Sequence, residues 1–364
     1  MRTLFSNRLR LLTLFLPLFV ALQSCESGTE AEDSLSPTGI VPAVPANLGE
    51  SVPYPERNPF TKEGILLGRK LFYDPKLSGN NQISCASCHH PDKAFSDGVR
   101  LSTAGASGKQ LLRNVPALQN LGWMQGWFWD GGAKDVESLT LGPLTHPDEM
   151  DQNLRELVQE LQTDRYYPTQ FKAAFGSDSI TSAMVARALA QFQRTLISGN
   201  SAYDRYSRSE AGATLSSAEL RGLALVRTRC APCHSSDHFT DQSYRNNGLD
   251  NVFSEEHEAL GWGRGRITHN SEDLGKYKVP TLRNLVVTAP YMHDGRYNTL
   301  TEVLDHYQKG IAPSPTLDPA LLKPDGSLGI LLSERDKADI IAFLHTLTDR
   351  DFLQNAAFGP PPQP

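Results

Sequence analysis

The sequence predicts an all-α protein built from two tandem, related units, on three observations. Cys85-Ala86-Ser87-Cys88-His89 recurs as Cys230-Ala231-Pro232-Cys233-His234. Val115-Pro116-Ala117-Leu118-Gln119-Asn120 recurs as Val279-Pro280-Thr281-Leu282-Arg283-Asn284, and fifteen residues after each valine stands an Asp-Gly pair, Asp130-Gly131 and Asp294-Gly295. Self-similarity of this kind marks a duplicated structural unit. Apolar residues fall at helical spacing, and no segment alternates over enough residues to make a sheet.

The elements follow in order. Arg2, Arg8 and Arg10 precede an apolar stretch, 11–22, that is too short to span a bilayer comfortably, so residues 1–25 read as a secretory signal. Leu22-Gln23-Ser24-Cys25 resembles a bacterial lipobox, which would make Cys25 the lipidated first residue and anchor the protein to a membrane. Residues 26–57, rich in Pro, Ser, Gly and Glu, read as a flexible linker. Order is expected from Asn58-Pro59, a cap with proline at the first helical position, into a helix that stops before Pro75. Helices are expected at about 151–162 and 181–197. The polar stretch 201–213 marks the boundary between a first unit, 58–205, and a second, 206–352. Ser216-Ser217-Ala218-Glu219 is a capping box opening the helix before the second cysteine motif, and a last helix begins at Ser333. Residues 353–364 form the tail, which from Ala356 is proline-rich and reads as mobile.

Two cysteines three apart followed at once by histidine is the spacing for covalent haem c. The thiols of Cys85/Cys88 and of Cys230/Cys233 add to porphyrin vinyl groups, and His89 and His234 meet the irons. A zinc site would need further ligands of its own. Four of the five cysteines are used this way and Cys25 is the fifth, so none remains for a structural disulfide. Loss of the signal removes three arginines and no acid, moving the net charge from −6 to −9. That balance argues against nucleic acid and favours a soluble or basic redox partner in an exported compartment.

The two copies differ where chemistry would differ. Thirteen residues after Asp294 stands Tyr307, which can ligate iron; thirteen after Asp130 stands Pro143, which cannot. A one-residue slip between the copies is left open, as are Met292, His293 and His306 as rivals for the second iron.

These residues resemble the bacterial dihaem cytochrome c peroxidase family, which includes the MauG-type enzymes. The resemblance covers roughly 58–352. It rests on Leu67-Gly68-Arg69-Lys70-Leu71-Phe72, both haem motifs, Phe128-Trp129-Asp130-Gly131, Gly142-Pro143 and His146-Pro147-Asp148-Glu149-Met150. It also includes Val279 to Asn284 and Thr288-Ala289-Pro290-Tyr291-Met292-His293-Asp294-Gly295. It implies two cytochrome c-like domains whose haems flank the interface. Hydrogen peroxide would be reduced at the N-terminal haem, and the C-terminal haem would relay electrons from a cytochrome c or cupredoxin. Glu149 matches the distal-pocket glutamate, and Trp129 the tryptophan between the haems. Asn114, Thr288 and Pro290 fall where the family binds calcium, and Tyr307 is the MauG-type axial ligand.

The signal, the lipobox and the haem motifs lead to an expectation of the periplasmic face or cell envelope of a Gram-negative bacterium, and a homodimer is left open. Two departures stand out. No histidine lies between His90 and His146, so the loop Ser102-Thr103-Ala104-Gly105-Ala106-Ser107-Gly108 offers nothing better than a hydroxyl to the first iron. Thr228 stands where the MauG-type enzymes carry a surface tryptophan. The MauG-like alternative is an oxidase that uses peroxide on residues of a partner protein; a pure electron carrier is the third reading.

Overall fold

Helix α1 (Lys62–Phe72) begins where Thr61, in extended backbone, accepts the Gly64 N–H with its side chain. Asn58-Pro59 is therefore not the cap. The Asn58 amide is buried instead, donating to Glu137 Oε1 (2.6 Å) and the Arg187 carbonyl (3.1 Å). In this computed structural model, which describes residues 37–253 and 261–362, ten more helices follow. They are α2 (Val136–Thr145), α3 (Leu154–Thr163), α4 (Tyr167–Phe175), α5 (Ser182–Arg194) and α6 (Ala202–Ser207). The second half adds α7 (Ser217–Leu225), α8 (Gly265–Thr268), α9 (Leu300–Asp305), α10 (Glu334–Thr346) and α11 (Arg350–Leu353). The one sheet among the described residues pairs Tyr244–Arg245 with Tyr277–Lys278, antiparallel and two residues long.

Two glycines set the helix crossings. A Cβ on Gly68 would lie 1.9 Å from the Ala188 carbonyl oxygen, so α1 lies backbone-close on α5. A Cβ on Gly222 would lie 1.9 Å from the Asp339 carbonyl oxygen, so α7 lies the same way on α10. Each crossing seeds an apolar core. The first gathers Leu67, Leu71, Phe72, Leu157, Leu189 and Phe192; the second gathers Leu223, Val226, Phe239, Leu304, Ile340 and Phe343. Ser216 and Ser333 cap α7 and α10 as the sequence requires.

The halves are joined by the second repeated motif. The Asn120 side chain donates to the Ser198 carbonyl, and that of Asn284 donates to Ser198 Oγ. The Gln119 amide donates to the Arg283 carbonyl at 2.8 Å. Arg283 grips Asp204 with both guanidinium nitrogens, at 2.9 and 2.7 Å, with both side chains fully buried.

Three expectations change. Residues 37–57 are docked rather than free, because Leu48 and Val52 are buried and Asn47 donates to Asp204. Stretch 201–213 contains α6, whose Tyr203 already belongs to the second core. The tail is likewise held: Arg69 Nε donates to the Gly359 carbonyl (2.7 Å), Arg69 Nη2 to that of Ala356 (2.7 Å), and Tyr73 Oη to that of Phe358 (2.6 Å). The signal, the lipobox, Cys25 and residues 26–36 lie outside the described residues. Among the described residues no helix is long and apolar enough to cross a membrane.

Candidate haem-binding site

Ser84 and Ser87 cap each other reciprocally to close a single 3-10 turn, Cys85–Ser87, which sets Cys85 and Cys88 on one short arc. Both are free thiols, partly accessible. His89 Nδ1 faces the Phe95 carbonyl at 2.5 Å, so it carries the proton and leaves Nε2 free to coordinate. Burial pushes this imidazole down to about 4, holding it neutral, as a metal ligand must be. The second motif repeats the device on a π turn, Val226–Cys230, with His234 Nδ1 at 3.1 Å from the Phe239 carbonyl. Phe95 and Phe239 both hold positive φ, which aims each carbonyl back at its histidine.

The register of the repeat is now fixed without a slip. Trp127 bridges Ala133 just as Tyr291 bridges Tyr297, and Asp135 caps α2 just as Thr299 caps α9. Counting equally from those caps places Pro143 inside α2 and Tyr307 in the π turn His306–Gly310 that continues α9. The Tyr307 hydroxyl, raised to about 12 by burial, lies 3.5 Å from Asn247 Nδ2. Its rivals are placed differently. Both His306 nitrogens are engaged, Nε2 with the Asn247 carbonyl (3.0 Å) and Nδ1 with Tyr297 Oη (3.3 Å). His293 is buried and stacked on Tyr277, with ring centroids 3.6 Å apart. Met292 Sδ stays beside Tyr307, 3.5 Å from the same Asn247 amide.

Glu149 follows α2, half-buried and 4.0 Å from His146 Nδ1. Burial raises its carboxyl, His146 partly opposing and Asp148 adding to the shift. The glycine- and serine-rich loop after the first motif backs this residue. A Cβ on Gly105 would lie 1.9 Å from the Asp148 carbonyl oxygen, and the Ala106 N–H donates to the Glu149 carbonyl at 2.6 Å. Ser102 Oγ in that loop lies 3.7 Å from Cys88 Sγ, which puts loop, thiol and glutamate in one neighbourhood.

Trp129 stands on the seam. Its indole donates to the Asn114 carbonyl at 2.8 Å, and its own carbonyl accepts the Lys278 N–H at 2.8 Å. In mirror fashion the Asn114 N–H donates to the His293 carbonyl at 2.8 Å. Trp129 and His293 are thus repeat partners, as are Asn114 and Lys278. The Asn114 amide donates to the carbonyls of Val99 and Arg100; the buried Lys278 ammonium, pushed down to about 8 by burial, donates to those of Gln125 and Gln242. Asp130, fully buried, is held by Arg113 at 2.8 Å and Arg266 at 2.5 Å.

A mostly apolar cavity of about 1680 Å³, counting its open mouth, runs along this seam. Trp129, Asn114, Thr288, Pro290, Cys233, His234, Met292 and Tyr307 all line it; Cys85, Cys88, His89 and Glu149 do not. Trp127 lines it too, and its indole N–H is buried without a partner among the described residues. Paired thiols, imidazoles with a free Nε2, an apolar chamber and an orphaned donor fit haem, whose body is apolar and whose propionates accept hydrogen bonds. No cluster of three or more His, Cys, Asp or Glu suited to a metal occurs among the described residues, so calcium at Asn114, Thr288 and Pro290 would rest on amide and carbonyl oxygens.

A family model for di-haem cytochrome c peroxidase matches residues 62–212. The methylamine utilization protein MauG of Methylorubrum extorquens is 40% identical over 303 residues, covering 82% of each chain. The chain belongs to the dihaem cytochrome c peroxidase family. It is an oxidoreductase of the cytochrome c peroxidase type, and membership implies haem as its cofactor. Cytochrome c551 peroxidase of Nitrosomonas europaea is 34% identical over 240 residues, 66% of this chain and 71% of the relative. Among solved structures, a MauG-like protein associated with microbial copper homeostasis superposes with a TM-score of 0.77 at 35% identity, over 87% of this chain and 98% of its own.

Sequence reasoning missed Asn247, Lys278 and the backing role of Gly105. The repeat register would have exposed Lys278 as the partner of Asn114; nothing local flags Asn247.

Proposed function

We propose that the chain is a c-type dihaem peroxidase, reducing hydrogen peroxide to water in its first repeat with electrons relayed through its second. One observation carries the reading: counted from equivalent helix caps, the first repeat presents Pro143 and the second Tyr307. Proline offers no ligating atom, so the first side stays open to a small molecule; a phenol closes the second. Haem would be held by Cys85/Cys88 with His89 and by Cys230/Cys233 with His234, and would supply the redox chemistry toward peroxide in the first repeat and electron storage in the second.

The chain's own residues do the rest. Glu149 takes the proton from one peroxide oxygen and delivers it to the other, which leaves as water, and its raised carboxyl suits both halves of that task. Two more protons and two electrons complete the second water. Trp129 is the aromatic placed on the seam to pass electrons, its indole fixed by the Asn114 carbonyl. Asn114, Thr288 and Pro290 supply hard oxygens for Ca²⁺. The donor is a small cytochrome c or cupredoxin, the two repeats are tandem cytochrome c-like domains, and Cys25 carries the lipid anchor at the periplasmic face.

A second reading, a MauG-like oxidase acting on residues of a partner protein, is favoured by Tyr307 and by the likeness to MauG. Against it stands Thr228, exposed on the π turn with its hydroxyl bonded back to the Ala224 carbonyl at 2.9 Å, which cannot carry a hole to the surface. Steady-state peroxide turnover with reduced cytochrome c or cupredoxin decides between them. Turnover sustained by such donors is expected; none with either donor, alongside oxidation of a partner protein, would favour the oxidase. Ferric EPR should show one high-spin and one low-spin haem. Only low-spin signals would mean the first side is not open.

A further inference from the structure

We propose that Asn247 is the positioning residue that selects which side chain closes the second haem, favouring Tyr307 over Met292. This rests on the reading that Tyr307 is the ligand. The Asn247 side-chain nitrogen stands 3.5 Å from Tyr307 Oη and 3.5 Å from Met292 Sδ, equidistant from the two rivals. Its backbone carbonyl accepts from His306 Nε2 at 3.0 Å, which keeps the third rival turned away. One residue therefore touches three of the four candidates, and the fourth, His293, is stacked on Tyr277.

The residue is not free to swing. Its neighbour Asn246 is buried, donates to Ser314 and Thr316, and accepts the Gly248 N–H at 2.8 Å. On the other side Gly248 has φ +71° and lies against Ile311, where a Cβ would come within 2.4 Å. The amide is thus presented from a locked turn.

A primary amide carries two protons, so it can address both acceptors at once. They are not equal. Tyrosine binds iron as a phenolate, and an N–H donated to an anionic oxygen is roughly twice as strong as one between neutral partners. A thioether is only a weak acceptor. The amide therefore stabilises bound Tyr307 while engaging the Met292 sulfur weakly. Met292 itself holds φ +75° in the turn that leads into Asp294-Gly295. Donors of this kind, one bond removed from a metal, orient ligands and tune the metal.

The test uses the full dihaem protein with Asn247→Asp, which keeps the shape but loses the donor, and Asn247→Leu, which removes polarity. The backbone bond to His306 is untouched in both, so histidine ligation is not invited. Readouts are the low-spin EPR signal, the near-infrared charge-transfer band of methionine-ligated ferric haem, and the reduction potential of the second haem. Wild type should lack the band; both variants should gain it, with the potential shifted upward, since methionine raises it. Adding Met292→Leu should abolish the new band. An unchanged EPR signal and potential in both variants would overturn the selector role and leave Tyr307 as ligand. A methionine band already present in wild type would overturn the Tyr307 reading, and the selector role with it.

Discussion

In the first repeat the helix after the Asp-Gly turn carries Pro143; in the second, Tyr307 stands at the same distance from the equivalent cap. Around that difference the backbones correspond. The histidine of each motif is oriented by a phenylalanine carbonyl at positive φ, and each helix crossing is made by a glycine. Across the seam the Lys278 N–H donates to the Trp129 carbonyl and, reciprocally, the Asn114 N–H donates to the His293 carbonyl. Duplication thus supplied one chassis twice, and a few side-chain exchanges distinguish the half proposed to be reactive from the half proposed to be the relay. A lysine ammonium, on Gln125 and Gln242 carbonyls, stands in one repeat where the other offers the Asn114 amide as a candidate metal ligand.

If the halves are so divided, losing each motif histidine should have unequal results. His89→Ala should abolish reaction with peroxide altogether. His234→Ala should leave that first reaction and stop sustained turnover with a protein donor. Stopped-flow mixing followed by steady-state assay separates the two, and equal loss in both variants would break the division of labour.

Each half also owns a buried bidentate ion pair, Glu137 with Arg194 in the first and Asp204 with Arg283 in the second. Asp204→Asn leaves Arg283 buried and uncompensated, which should destabilise the fold by about 3–5 kcal/mol in a urea titration. The acids titrate in the same sense. Arg194 and Arg283, against the opposing pull of burial, hold both carboxyls below their ordinary values. Their stabilisation is therefore fully present above the unfolded carboxylate range of about 4 and drains away as pH falls through the lower folded values. The urea midpoint should drop below about pH 4 in wild type, and by less in Asp204→Asn.

Glu149 sharpens the comparison from the reactive side alone. Glu149→Gln should keep both haems and the relay but slow the reaction with peroxide by about 10²-fold. Normal stopped-flow kinetics in that variant would remove the glutamate from the mechanism.

Much of this was legible in the chain. The haem motifs, the duplication, the caps at Ser216 and Ser333 and the Pro143/Tyr307 contrast are local or periodic signals, and local signals survive folding. What was not legible depended on tertiary partners. Leu48 and Val52 sit among prolines and read as linker until the body beneath them is known. Lys278 reads as a surface charge, and only the Gln125 and Gln242 carbonyls make its burial tolerable. Helices α4 and α6 are short, and 201–213 looked like a boundary because its polar residues are spent on buried bonds such as Ser201 to Asp204.

The tail gives the smallest expected effect and the most local test. Although it ends the chain, it belongs to the first repeat: Phe352 is buried in the first core, and Phe358 packs against it. Arg69 fastens it by three carbonyls, those of Ala356, Gly359 and Pro360. The chain that leaves α10 thus returns to close α1, and the second repeat has nothing that closes α7 this way among the described residues. Arg69→Ala removes one charged donor at a partly exposed site, so the loss should be about 1.5 kcal/mol, the lower end for a charged hydrogen bond. Hydrogen exchange should rise in residues 354–362 and at the C-terminal end of α1, while α7 and α10 keep their protection. Equal loosening of both repeats would mean the tail braces the whole molecule, and no change would mean that Phe358 alone holds it down.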